Sequence, residues 1–131
     1  MEAKKNILII DDDPDYVEAI KLILEGDGYH VDFSNDTESG YKKLMDSTPH
    51  LLVLDIMMGK GAEGIIFARK MRKEEKLKEL PVLMITSIRE QTGFFFPGQA
   101  AHPFYLPVDE LVEKPIDAKV LLQKVETLLG K

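Results

Sequence analysis

The sequence predicts an α/β fold in which a parallel sheet is covered by helices on both faces. Three apolar runs, Ile7–Ile10, Leu51–Leu54 and Val82–Ile85, proceed without polar alternation, the pattern of strands buried on both sides rather than strands with one wet face. Stretches with helical apolar spacing lie between them, and regular alternation of strand and helix implies right-handed crossovers within one sheet. A length of 131 residues suits one compact domain.

The first strand, Ile7–Ile10, runs into Asp11, Asp12 and Asp13. Asp13 suits a helix N-cap with Pro14 at the first helical position; Val17, Ile20 and Leu24 then recur on one face, and Gly26 and Gly28 stop the helix. His30–Phe33 is a weaker strand, and Asn35 or Asp36 can cap a second helix in which Tyr41, Leu44 and Met45 share a face. Leu51–Leu54 is the third strand. The third helix carries Ile65, Ala68 and Met71 and fades through Arg72–Glu79, whose alternating charges read as a solvated helix end before Pro81. The fourth strand, Val82–Ile85, passes into Thr86 and Ser87.

From Gln91 to Val108 the chain holds no Asp, Glu, Lys or Arg, while Pro97, Pro103, Pro107, Gly93 and Gly98 oppose a regular helix. An irregular loop is therefore expected to replace most of the fourth crossover helix. Phe94, Phe95, Phe96, Phe104 and Tyr105 lie in it, a concentration suited either to packing over the fourth strand or to docking a partner protein. Glu110–Glu113 is a weak fifth strand, followed by Lys114-Pro115. The last helix opens at Asp117 and shows the stripe Leu121, Val125, Leu128.

Seventeen basic and twenty-three acidic side chains give a net charge of −6, with no basic block, so direct nucleic-acid binding is not expected. The absence of cysteine removes disulfides, thiolate metal sites and thiol nucleophiles. No apolar run reaches the roughly 18 residues of a membrane span, and Met1-Glu2-Ala3-Lys4-Lys5 does not lead into a signal-peptide core. A cytoplasmic location is expected.

In open parallel sheets, ligands bind outside the carboxyl ends of the strands. The residues there are Asp11, Asp12 and Asp13 after the first strand, Asp55 after the third, Thr86 and Ser87 after the fourth, and Lys114 after the fifth. If the first strand lies beside the third, Asp11, Asp12 and Asp55 converge, and such carboxylates repel one another unless a cation sits among them. Hard oxygen ligands suit Mg2+. Asp55 could then serve as a nucleophile toward phosphorus without a general base, being already ionised, while the Thr86 hydroxyl and Lys114 ammonium each hold a phosphoryl oxygen.

In order and spacing these pieces resemble the receiver domain of bacterial two-component response regulators, of the stand-alone, chemotaxis-regulator-like kind. The matching stretches are Ile7-Leu8-Ile9-Ile10-Asp11-Asp12-Asp13-Pro14, Leu51-Leu52-Val53-Leu54-Asp55-Ile56-Met57-Met58, Pro81-Val82-Leu83-Met84-Ile85-Thr86-Ser87 and Val112-Glu113-Lys114-Pro115. The resemblance covers the chain except residues 91–108, with 1–131 as one receiver domain and no output domain visible. It implies a flavodoxin-like doubly wound five-stranded sheet of order 2-1-3-4-5, with the site at the switch point between the first and third strands. It further implies that Asp55 takes a phosphoryl group from a histidine kinase or histidine phosphotransfer protein. Asp12 and Asp55 would hold Mg2+ directly, Asp11 through water, and Met57 by its backbone carbonyl. The Lys114-Pro115 bond would be cis. Such a protein catalyses only its own aspartyl phosphorylation and dephosphorylation, and switches its interaction with a downstream protein.

Departures from the family pattern are local. Gly59-Lys60-Gly61-Ala62-Glu63-Gly64 lacks the usual proline, Leu111 stands where an aromatic is common, and the interval from Thr86 to Lys114 is longer than usual. These departures support an alternative, a receiver-like binding module that acts without phosphorylation. A metal-dependent phosphatase working through an aspartyl-phosphate ranks lowest, because no second carboxylate lies two residues after Asp55. The G-x-G-x-x-G match at Gly59–Gly64 fails as a dinucleotide fingerprint, since Met57 and Met58 intervene after the strand and the next strand ends in Thr86 rather than an acid. His30, His50 and His102 lack metal-ligand spacing.

Overall fold

A computed structural model of the chain describes residues 4–55, 63–86, 109–114 and 117–130. The apolar runs become a parallel sheet of β1 (Asn6–Ile10), β2 (His30–Ser34), β3 (Leu51–Asp55), β4 (Val82–Thr86) and β5 (Glu110–Glu113), in the order β2-β1-β3-β4-β5. This is the flavodoxin-like winding, and its reversal of direction between β1 and β3 opens the crevice where a ligand sits. Register is set by pairs such as Ile10↔Leu54, Asp55↔Ile85 and Thr86↔Glu113. The predicted loop at 91–108 lies outside the described residues.

The two-residue period of the strands divides their side chains between two cores. Leu8, Ile10, Leu52, Leu54, Val82 and Met84 pack with α2 (Thr37–Asp46) and α3 (Glu63–Met71), and Leu111 joins them. Ile7, Ile9, Leu51, Val53, Leu83 and Ile85 pack on the other face with Val17, Ile20 and Leu24 of α1 (Pro14–Gly26) and Leu121 and Val125 of the C-terminal helix, Ala118–Leu128. Neither face of the central strands is left to solvent, which is why the sequence shows no alternation there.

Caps fix where the helices begin. The Asp13 carboxylate accepts from the amides of Asp15 and Tyr16, and that of Asp117 from Lys119 and Val120. Of the two candidates for α2, Asp36 is the cap: its Oδ1 accepts from the Ser39 amide at 2.7 Å. That hydrogen bond holds the Asp36 carboxyl below the usual carboxylate range. Gly28, at φ +93°, turns the chain out of α1 in a conformation that disfavours other residues.

Arg72–Glu79 differs from its reading as a solvated helix end. The α-helix stops at Met71, a single 3-10 turn covers Glu75–Leu77, and Leu77 is wholly buried against the core beside Met71 and Leu80. Arg72 makes the turn possible by donating from Nη1 to the carbonyls of Leu77, Lys78 and Leu80. Charge alternation could not reveal this, because Arg72's partners here are backbone oxygens.

Candidate functional site

The site grows from the alternation that builds the core. Asp11 and Asp55 continue the series Ile7, Ile9 and Leu51, Val53, so where the strands end, the α1-side core ends in carboxylates. Both are almost fully buried, at 1% and 3% exposure, while Asp12 is exposed. The Asp11 amide donates to the Ser34 carbonyl of β2, and its Oδ1 accepts from the Asp13 amide at 2.9 Å, which fixes the carboxylate in place. One oxygen from each of Asp11, Asp12 and Asp55 lies within 4.8 Å of the others.

Lys114 comes from the end of β5. Its Nζ lies 3.5 Å from Asp11 Oδ2 and 3.6 Å from Asp55 Oδ2. Burial pushes the Asp11 carboxyl above its ordinary value, although the Asp13 amide and the Lys114 ammonium both pull the other way. Desolvation therefore outweighs the local partners. Three carboxylates and one ammonium leave two negative charges at the centre, the complement of a divalent cation. Oxygens of an octahedral Mg2+ site lie about 3 to 4 Å apart for bonds near 2.1 Å, so the all-oxygen donor set fits that ion after a small contraction.

Sequence reasoning brought Asp11, Asp12, Asp55 and Lys114 together, and so does the structure. Thr86 closes β4 opposite Glu113, one residue beyond the Asp55↔Ile85 pair. Met57 and Pro115, and with them the predicted carbonyl ligand and cis bond, lie outside the described residues. Sequence reasoning missed Tyr16, whose ring lies 4.2 Å from the Lys114 ammonium. A signal was available: Tyr16 falls in the first turn of the helix that begins just after the acidic strand end.

Fold and site define a doubly wound α/β domain with an acidic centre, bridged by a lysine, at its topological switch point. The family model for the response regulator receiver domain matches residues 7–126, and the chain belongs to that family. It is 32% identical over 128 residues to the DNA-binding dual master transcriptional regulator RpaA of Synechocystis sp., covering 95% of this chain and 49% of that protein. It is 27% identical to the phosphate regulon transcriptional regulatory protein PhoB of Pseudomonas aeruginosa, covering 97% of this chain and 52% of that one. The chain thus spans about half the length of these curated relatives. Among solved structures, the signal receiver domain of a signal transduction histidine kinase from Syntrophus aciditrophicus superposes with a TM-score of 0.80 at 25% identity, covering 96% and 90% of the two chains. A putative response regulator from Chloroflexus aurantiacus shares the fold with a TM-score of 0.84 at 24% identity, covering 98% and 100%. The chain is a receiver domain homologous to phosphorylatable response regulators.

Proposed function

We propose that the domain accepts a phosphoryl group on Asp55 from the phosphohistidine of a histidine kinase or histidine phosphotransfer protein, and that the acyl phosphate changes its engagement of a downstream protein. The observation that carries this reading is the convergence of Asp11, Asp12 and Asp55 with the Lys114 ammonium on the two buried carboxylates. An Asp55 carboxylate oxygen attacks phosphorus. A P–O bond forms as the donor's P–N bond breaks, and the bond pair leaves with the imidazole nitrogen. Lys114, already beside Asp55, turns to a phosphoryl oxygen, and the Thr86 hydroxyl holds a second.

Asp12 and Asp55 would hold Mg2+ directly, Asp11 through water, and Met57 by its carbonyl. When bound, the ion supplies positive charge that neutralises the incoming phosphoryl oxygens. The domain turns over no separate substrate and catalyses only the gain and loss of its own phosphoryl group. Contact with the downstream protein is assigned to residues 91–108 because of their uncharged aromatic composition. A cytoplasmic location fits the reading, and among the described residues no helix is long and apolar enough to cross a membrane. The net charge of −6 argues against direct nucleic-acid contact by this domain.

Beryllium fluoride, a phosphoryl mimic, tests the reading through fluorine NMR. A bound signal that requires Mg2+ and vanishes in Asp55→Asn supports it. A signal that is absent in the wild type, or persists in Asp55→Asn, contradicts it.

A further inference from the structure

We propose that Asp109 and Arg72 are positioning residues for Lys114: they lock the register of β5 from the end of the sheet opposite the acidic centre. The inference rests on the reading of Lys114 as a phosphoryl-holding group and adds what places it there. β5 spans Glu110–Glu113 at the edge of the sheet and, among the described residues, pairs with β4 alone. The connection that precedes it runs from residue 87 to 108. Leu111 and Val112 pack into the two opposite cores and so settle which way the side chains of β5 face, but an edge strand of four residues carries few such contacts.

Asp109 adds a polar anchor at the start of the strand. Its amide donates to the Val82 carbonyl at 3.0 Å, and its Oδ2 accepts from the Val82 amide at 2.8 Å, so one residue grips both polar groups of the first residue of β4. The same Oδ2 lies 3.2 Å from Arg72 Nη2. Arg72 is itself immobilised, with its side chain 18% exposed and its Nη1 engaged by three carbonyls. The pairs from Leu83↔Glu110 to Thr86↔Glu113 follow from that anchor. A further ionic contact of β5, Lys124 to Glu110 at 3.4 Å, joins side chains that are 34% and 42% exposed, and exposed pairs of this kind contribute little.

The consequence at the site is geometric. Lys114 lies five residues beyond Asp109, on the order of 16 Å along an extended strand. A slip of one residue would move its Cα by about 3.3 Å and turn its side chain to the opposite face of the sheet. Lys114 would then leave Asp11 and Asp55. Arg72 and Asp109 touch neither phosphoryl group nor cation and act only through β5.

The test is a double-mutant cycle on the rate of acyl-phosphate formation from acetyl phosphate at saturating Mg2+, using wild type, Asp109→Ala, Lys114→Met and the double variant. The lock predicts that Asp109→Ala, still folded by circular dichroism, slows the reaction by about tenfold to a hundredfold and slows it no further in the Lys114→Met background. Equal slowing in both backgrounds, or a lowered melting temperature with an unchanged rate, overturns the inference. If Asp109→Ala does not fold, Asp109→Asn serves, because it retains an oxygen for the Val82 amide while weakening the Arg72 contact. A wild type that forms no acyl phosphate counts against the Asp55 reading alone. Register is then read from nuclear Overhauser contacts between Ile85 and Val112: loss or replacement in the Asp109 variant supports the lock, and full retention overturns it.

Discussion

The Lys114 ammonium lies 3.6 Å from an Asp55 carboxylate oxygen, with the two side chains 14% and 4% exposed. It lies 3.5 Å from Asp11, which is more deeply buried still. One cation thus serves two desolvated carboxylates, and each partner's removal has a different sign.

Lys114→Met leaves Asp11 and Asp55 buried without their cation. In metal-free buffer at neutral pH, denaturant unfolding should show a loss approaching 3–5 kcal/mol, the usual cost of breaking a buried pair from one side. Asp55→Asn should leave stability unchanged or raise it, because it removes one of three crowded carboxylates while Lys114 keeps Asp11. Mg2+ affinity of Lys114→Met should be unchanged or higher, a competing cation having gone; a large fall in a metal titration would show that Lys114 helps to hold the ion.

Two carboxylates should give opposite pH dependences in metal-free buffer. The Asp11 carboxyl is raised in the folded protein by burial, so folding favours its protonated form. Its penalty is absent below the ordinary carboxylate value and grows as pH rises through the raised folded value. Asp11→Asn should therefore be more stable than wild type at neutral pH and lose that advantage on acidification. Asp36 is lowered by the Ser39 amide, so its contribution is present above the ordinary value and is lost as pH falls through the folded one. Asn also caps helices, so Asp36→Asn should match wild type at neutral pH and lose less on acidification. Melting temperatures across an acid titration measure both.

Tyr16 should be needed for the resting position of Lys114 through its ring rather than its hydroxyl. Tyr16→Phe should keep, and Tyr16→Leu should abolish, an upfield ring-current shift of the Lys114 ε protons in NMR. The attraction is worth about 0.5–2 kcal/mol. An unshifted lysine in the wild type would exclude the contact.

α2 approaches β1 closely at Gly40, where an added Cβ would press on Ile10 Cδ1 and lie 2.9 Å from its Cγ1. Gly40→Ala should destabilise by about 1–3 kcal/mol despite the better helix propensity of alanine. In an Ile10→Val background, which lacks Cδ1, urea unfolding should show a smaller cost. An equal cost in both backgrounds would mean that Ile10 is not the obstacle.

The sheet was legible because strands covered on both faces must be continuously apolar, and Ile7–Ile10, Leu51–Leu54 and Val82–Ile85 are. Asp11, Asp55 and Lys114 were legible because charged residues directly after such strands mark the carboxyl edge of the sheet, where ligands bind. The Arg72 network was not legible. Its partners are three carbonyls and an aspartate 37 positions away, and none of these leaves a local pattern. Leu77 was hidden for the same reason: only the turn that Arg72 holds carries it inward. Choosing Asp36 over Asn35 as the α2 cap required a backbone that sequence spacing fixes only to within a residue or two.

Peptide mapping after incubation with acetyl phosphate and Mg2+ tests the central claim most directly. The account predicts one hydroxylamine-sensitive phosphoryl group, on the peptide containing Asp55, absent without Mg2+ and absent in Asp55→Asn. A phosphoryl group on Asp11, Asp12 or a histidine, or none at all in the wild-type protein, would contradict it.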